Sequence, residues 1–286
     1  MNTPEKKKKN NKWSTFLLLL IFFVGLSVML YPSLSNFWNQ RTQSEAIVDY
    51  ETMLEYIPEA DYTALFAAAE QYNKSLYAKD FPLVEYTNVA GYHETLNLNG
   101  NGMMGYVTIG KIGVELPLYH GTDDSILNVA IGHLEGSSLP IGGESTHAVV
   151  SAHRGLPSAK LFTDLDRMEV GDTFQVTILD RTLTYQVDQI RIVAPNKMEE
   201  LSIVPGEDLC TLLTCTPYGI NTDRLLVRGK RIETVEQKHI HLTSDAYQID
   251  VLIVTPIVAL PMLLVLMLIV LFKPIKKESA GKDLLS

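Results

Sequence analysis

Leu209-Cys210-Thr211-Leu212-Leu213-Thr214-Cys215-Thr216-Pro217-Tyr218, followed after a short polar loop by Arg224-Leu225-Leu226-Val227-Arg228-Gly229, reads as a strand ending on a cysteine, a turn, and a second strand opening on an arginine. Successive side chains of a strand point to opposite faces, so Cys215 shares its face with Leu209, Thr211 and Leu213, while Cys210 lies on the other. The two thiols therefore cannot pair within that strand. Pro217 has no N–H to give a neighbour, and Tyr218-Gly219-Ile220-Asn221 supplies the Gly and Asn of a reversing loop. The chain can then return and set Arg224 beside Cys215. A free cysteine has a pKa of ~8.5, its thiolate is the nucleophile, and a nearby fixed positive charge lowers that pKa. Arginine stays charged, and its N–H donors can hold an oxyanion.

Such a thiol needs a proton shuttle, and His153 in Val149-Val150-Ser151-Ala152-His153-Arg154-Gly155-Leu156-Pro157 ends an apolar strand just before a turn. The chain has seven histidines. His133, in Gly132-His133-Leu134-Glu135-Gly136, is the strongest rival, and His93, His120 and His147 sit in loops or at strand edges. His239 and His241 share one extended face, but a metal site needs three or four ligands and no acidic or cysteine partner is spaced to help. Neither a metal nor an organic cofactor is expected. Two arginines compete with Arg224: Arg228, four residues on along the same face, and Arg154, next to the histidine. The first position after the loop is nearest Cys215.

The formal net charge of −9 is unevenly spread: residues 1–12 carry +4, residues 273–286 carry +2, and the remainder carries −15. An acidic body argues against nucleic acid, which needs Lys and Arg to neutralise phosphate. Only two cysteines occur, which excludes a disulfide-rich scaffold and leaves Cys210 as a buried apolar filler.

Residues 13–31 are almost wholly apolar, and as a helix would span ~28 Å, close to the hydrocarbon thickness of a bilayer. The lysine cluster at 6–9 precedes this run, and Tyr31-Pro32-Ser33-Leu34 offers no small-residue cleavage site, so an uncleaved anchor is expected. Residues 251–272 form a second apolar run of spanning length, interrupted by Pro256 and Pro261 and followed by Lys273, Lys276 and Lys277. Positive charge outside both spans places both termini in the cytoplasm and the acidic body outside the cell. The expected organisation is a basic N-terminus (1–12), an anchor (13–31), a helical extension (32–95), a β domain (96–235), a linker (236–250), a second span (251–272) and a basic tail (273–286).

Within the extension, apolar residues at 47, 50, 54 and 57 have helical spacing and Pro58 marks an end; a second helix is expected from an Asp61 cap to about Tyr77. From Met104 the pattern turns to short strands at 106–109, 114–119, 148–152, 174–179, 183–193, 209–215 and 225–232, with a hairpin turning at Asp180-Arg181 and a helix over about 158–168. Many short strands with Gly, Asp and Asn turns imply a barrel or sandwich.

His, Cys and Arg in that order, each at a strand end, with Thr211-Leu212-Leu213-Thr214-Cys215 before the loop, resemble the sortase family of transpeptidases. Gly132–Gly136, Ser151–Pro157 and Thr214-Cys215-Thr216-Pro217-Tyr218-Gly219-Ile220-Asn221-Thr222 are similar to the wording of class C, the pilin-polymerising sortases, and the resemblance runs from about residue 96 to 232. It implies a mainly β fold, a sortase-type eight-stranded β-barrel with N-terminal and short interspersed helices, here flanked by two transmembrane helices. It implies His153, Cys215 and Arg224 as the catalytic set, with His133 structural. Cleavage of a Leu-Pro-x-Thr-Gly-like signal through an acyl-thioester is implied too, with transfer to a lysine amine of another pilin subunit. Its partners would be pilins and, through the two helices, membrane lipid.

Class C sortases usually carry a lid with Asp-Pro-aromatic order; here Asp80-Phe81-Pro82 has the same residue types permuted. Proline fixes φ and restricts the residue before it, so the shift re-aims the ring. Asp80 and Phe81 are the lid candidates. Three other readings stand beside this one. A wall-anchoring sortase would use a cell-wall peptide amine, a cysteine protease would use water, and a membrane-tethered binding protein would carry Cys215 by coincidence. Papain-like proteases place Cys before His at a helix start, whereas here His precedes Cys and the thiol ends a strand.

Overall fold

A computed structural model describes residues 12–234 and 261–265 of the chain. Eight strands close into a barrel: β1 (Met103–Ile109), β2 (Val114–His120), β3 (Ile131–His133), β4 (Thr146–Ser151), β5 (Thr173–Ile178), β6 (Arg181–Val193), β7 (Asp208–Thr216) and β8 (Asp223–Ile232), in the order β1-β2-β3-β4-β7-β8-β6-β5. β2 with β3 and β4 with β7 run parallel; the other neighbours are antiparallel. Closure leaves no free edge for another chain to extend. The interior is filled by inward-facing residues such as Leu118, Ile131, Val150, Val176, Cys210, Leu212 and Val227.

Helix α1 (Lys12–Leu54) is continuous through Pro32, and α2 (Glu59–Tyr77) follows. The anchor expected to end at residue 31 and the separate helix expected from the apolar spacing at 47, 50, 54 and 57 are thus one element. Pro32 removes one N–H from the ladder but does not end it. Beyond it, Asn36, Asn39, Gln43, Ile47, Tyr50 and Leu54 recur at helical spacing and meet the barrel. α1 is the one described helix long and apolar enough to cross a membrane, with a mean hydropathy of 1.7 over its best window.

α2 starts three residues earlier than an Asp61 cap would give, with Pro58 in the cap position and the Asp61 N–H bonded to the Pro58 carbonyl at 2.9 Å. Its stripe of Phe66, Ala69, Tyr72 and Leu76 is buried against the barrel core. Burying one side chain such as Leu76 contributes roughly 1.5–3 kcal/mol. Two very short helices, α3 (Pro82–Glu85) and α4 (Asp124–Leu127), lie in the connections.

Two local expectations are corrected. Residues 158–168 do not form a helix; Leu161 has a φ of 41°, which a right-handed helix cannot hold, and only a 3-10 turn at Leu165–Arg167 remains. The β5–β6 hairpin turns at Leu179-Asp180, one residue before the expected place, since Ile178 pairs with Arg181. Leu179 has a φ of 53°, and its N–H is captured by the Tyr50 hydroxyl of α1 at 2.9 Å. The basic N-terminus to residue 11, His239 and His241, the 236–250 linker, the 273–286 tail and most of the second apolar run lie outside the described residues; within that run, 261–265 is helical.

Candidate active site

β7 lies between β4 and β8, and this placement assembles the candidate site. Across β7 and β8, Cys215 is the register partner of Arg224. On the other side β4 runs parallel to β7 with Ser151 opposite Leu213, so the register carried two residues further sets His153 alongside Cys215. That extension is held beyond the end of β4: the Ala152 N–H donates to the Leu213 carbonyl at 3.2 Å and the Thr214 hydroxyl to the Ala152 carbonyl at 2.8 Å. Cys215, His153 and Arg224 are all half-buried at the end of the strands. The Thr216–Pro217 peptide that ends β7 is cis.

The alternation along β7 separates the two thiols as their positions require. Cys210 is fully buried in the barrel interior, where burial pushes its thiol far up and keeps it protonated. Cys215 lies on the outer face with Leu213, which packs with Val149, Leu201, Leu226, Val193, Leu134 and Leu83 in an apolar cluster. The floor beside the thiol is therefore hydrophobic.

Arg224 donates from Nη1 to the carbonyls of Asp223 at 3.1 Å and Asn221 at 3.4 Å. Among the described residues its Nε and Nη2 have no partner, so they are available to an oxyanion. The rival arginines are occupied. Arg228 donates two hydrogen bonds to the Asp188 carboxylate, from Nε at 3.1 Å and from Nη2 at 2.6 Å. Arg154 pairs with Asp166, donates to the Thr163 carbonyl at 3.2 Å and to Thr216 Oγ1 at 3.4 Å, and lies 5.8 Å from the centre of the Tyr218 ring. Arg154 therefore ties the loop after His153 to the loop after Cys215. Gly155 takes part, with Tyr218 packed directly over it. Sequence reasoning passed over this staple, although a glycine directly after the His-Arg pair was its visible sign.

Three of the competing histidines are buried and hydrogen-bonded. His133 is sealed in the interior with Nε2 donating to the Ser138 carbonyl at 2.8 Å and Nδ1 facing the Tyr92 hydroxyl at 2.9 Å; burial pulls its pKa down to about 4. His147 is buried between the Ser202 carbonyl and the Thr211 hydroxyl, and His120 between the Gly102 and Thr95 carbonyls; burial lowers both. His93 is exposed at 3.5 Å from Glu135. Among the described residues no three His, Cys, Asp or Glu side chains are grouped to hold a metal ion.

The lid candidates do not join the three. Asp80 is exposed and, among the described residues, makes no ion pair with Arg224; Phe81 is 67% exposed. Both border a cleft of about 490 Å³ between residues 77–84 and the β6–β7 connection at 196–203. The residue of this segment that reaches the sheet is Leu83, packed on the cluster containing Leu213, on the face that carries Cys215. Moving proline after the aromatic makes Pro82 the first residue of α3 and leaves the Phe81 ring outside the turn.

Residues 107–232 match the family model described as the sortase domain. The chain is similar to the crystal structure of sortase C1 from Streptococcus agalactiae, with 48% identity over 67% of this chain and 100% of that one and a TM-score of 0.61. It is similar also to a sortase C of Streptococcus pneumoniae, described with its pilin substrate specificity, with 45% identity over 66% of this chain and 97% of that one and a TM-score of 0.58. Sortase A of Streptococcus agalactiae serotype III is 28% identical over 137 residues, 47% of this chain. The matched stretch spans 55% of the length of that curated relative.

Proposed function

The chain belongs to the sortase family of cysteine transpeptidases, within its class C group, and from that premise we propose that it polymerises pilins on the outer face of a membrane. The observation that carries the reading is the pairing of Cys215 with Arg224 across β7 and β8, with the end of β4 on the other flank.

The Cys215 thiolate attacks the threonyl carbonyl carbon of a Leu-Pro-x-Thr-Gly-like signal and forms a C–S bond. Arg224 holds the oxyanion through its free N–H groups. As the C–N bond to glycine breaks, the His153 imidazolium gives its proton to the leaving amine, and an acyl-thioester remains. A lysine amine of another pilin then attacks the thioester, His153 takes up the proton, and Cys215 leaves as thiolate. The second step is demanding, because an ordinary lysine of pKa ~10.4 is neutral in only roughly 0.04% of molecules at pH 7. The base or the acceptor groove must therefore act on that amine.

Similarity to a pilin sortase favours a pilin lysine over a cell-wall peptide amine as acceptor. The topology that fits is two-pass: α1 and the 251–272 run cross the membrane, both termini are cytoplasmic, and the barrel is extracellular. Asp80 and Phe81 act, in this reading, only as the exposed margin of the cleft, while Leu83 is the contact that covers the sheet. The test is mass spectrometry of the protein incubated with a sorting-signal peptide and a lysine-bearing acceptor. An acyl adduct on Cys215 and an amide to the acceptor are expected, both absent in Cys215→Ala and retained in Cys210→Ala. Adduct surviving in Cys215→Ala, or water as the sole acceptor, would end the assignment.

A further inference from the structure

The loop that begins at His153 is closed on itself and bolted to the helix that leads out of the apolar anchor. The Phe162 N–H returns to the His153 carbonyl at 3.1 Å, so residues 153–162 form one compact loop. Ala159, Leu161 and Phe162 bury their side chains in the core, which fixes the base of the loop. Its outer turn is tied through Lys160 Nζ to the Ile112 carbonyl at 3.3 Å and to Asp164 at 3.0 Å, and by two further hydrogen bonds to α1. The Lys160 N–H donates to Asn36 Oδ1 at 2.9 Å, and Asn39 Nδ2 donates to the Ser158 carbonyl at 2.8 Å. Asn36 is five residues past Tyr31, ~7.5 Å along a helix, so the ties fall on the first turns beyond the apolar stretch. The exposed ring of Trp38 on the same turns belongs to the residue class that sits at a membrane–water boundary.

We infer that Asn36 and Asn39 are positioning residues for His153: the membrane-proximal turn of α1 braces the loop whose first residue is the proposed acid–base. The anchor is then part of the catalytic apparatus as well as a tether. The inference rests on the reading of His153 given above. Its chemical logic is that proton transfer tolerates little misplacement; an error near 1 Å can cost on the order of 10²-fold in rate. Gln43, one turn further along α1, donates to the Val129 carbonyl at 2.6 Å, away from the loop, and so reports helix docking without the brace.

The two asparagines play opposite hydrogen-bonding roles, which gives an isosteric test in the full-length protein in detergent. Asn36→Asp keeps the acceptor for the Lys160 N–H and should lower kcat for peptide cleavage less than Asn39→Asp does. Asn39→Asp turns a donor into an acceptor facing the Ser158 carbonyl. It should lower kcat by about tenfold with KM little changed, and Gln43→Ala should resemble wild type. A second measurement needs no substrate: the pH profile of iodoacetamide alkylation at Cys215 reads the imidazole beside the thiol. The Asn39→Asp profile should shift toward that of His153→Ala. Equal rates and profiles in Asn39→Asp and wild type would overturn the brace, as would a loss in Gln43→Ala equal to that in Asn39→Asp. Absence of any acyl adduct in wild type would instead count against the sortase reading, while the alkylation arm still decides the brace.

Discussion

Gly155 lies beneath the ring of Tyr218, so close that a Cβ built on it would come 3.1 Å from Cε2, and its φ is +77°. The contact joins the loop after His153 to the loop after Cys215, and the Arg154 guanidinium shares the same ring. Gly155→Ala meets both a left-handed backbone and a ring in the way, and should cost roughly 1–3 kcal/mol. Denaturant unfolding of Gly155→Ala, Tyr218→Ala and the double variant gives the check. The combined loss should fall short of the sum, since removing the ring leaves only the backbone strain.

Arg224 and Arg228 both lie on β8, but Arg228 is held by a carboxylate whereas Arg224 is bonded only to backbone carbonyls. Arg224→Lys keeps the charge and loses the planar fork, and should lower kcat on the order of 10²-fold with KM nearly unchanged. Arg228→Lys breaks the paired hydrogen bonds to Asp188 and should act on stability instead, by about 1 kcal/mol or less at that partly exposed site. Steady-state kinetics on both variants separates the two. A larger kcat loss in Arg228→Lys would assign the oxyanion role to the wrong arginine.

Alternation and turn chemistry made seven of the eight strands readable, because each runs at least six residues between Gly, Asp or Asn turns. β3 was not readable: at three residues, Ile131–His133, it is too short to show a period. The helix expected over 158–168 rested on Leu161 and Leu165 four apart. That spacing comes instead from two buried side chains of a closed loop, with Leu161 forced to positive φ. The pairing of Cys215 with Arg224 was legible because one loop joins adjacent strands. The ties from Asn36 and Asn39, and that from Tyr50 to Leu179, were not, since they cross 119–129 positions of sequence with no local pattern to announce them.

His133 makes the barrel sensitive to acid. In the unfolded chain an imidazole titrates near ~6.5, whereas the buried ring resists protonation down to about 4. Between those values the unfolded chain binds the extra proton, so stability falls as pH falls, with a slope of up to ~1.36 kcal/mol per unit. His120 and His147, also lowered by burial, add with the same sign. The ring is faced by the Tyr92 hydroxyl, Ser137 and the Ser138 carbonyl, with His120 repelling its charged form. Urea unfolding from pH 7 to 4.5 should show the decline, and His133→Gln should flatten part of it. An unchanged slope in His133→Gln would contradict the assignment.

Gly136 is where the connection after α2 rests on the barrel. A Cβ there would come 3.0 Å from the Leu83 Cα and from Tyr86 Cδ1, and its φ is +86°. Because the first neighbour is backbone, the 82–86 segment must move. Strain of about 1 kcal/mol against the docked arrangement shifts its population roughly fivefold. Gly136→Ala, and Leu83→Ala by a separate route, should therefore speed alkylation of Cys215, whose face Leu83 covers in part. Asp80→Ala should leave the rate unchanged. Thiol-labelling rates provide the measurement, and a faster rate in Asp80→Ala alone would return the lid role to that residue.

Tyr50 fixes α1 to the β5–β6 hairpin from a position that is 2% exposed. Its hydroxyl donates to the Met104 carbonyl at 2.7 Å and accepts the Leu179 N–H at 2.9 Å, so one oxygen satisfies two buried backbone groups, one on β1 and one in the β5–β6 turn. Tyr50→Phe keeps the ring and strands both groups. Each unsatisfied group costs ~1–3 kcal/mol, so a net loss of about 2 kcal/mol, or roughly 4–8 °C in Tm for a domain this size, is expected. Tyr106 offers the contrast, since its hydroxyl bonds the exposed Glu51 carboxylate at 2.9 Å, where water can replace either partner. Tyr106→Phe should cost no more than about 0.5 kcal/mol. Thermal unfolding of the two variants distinguishes a buried backbone clamp from an ordinary surface contact, and equal losses would show that the Tyr50 bonds are not what holds the hairpin to the helix.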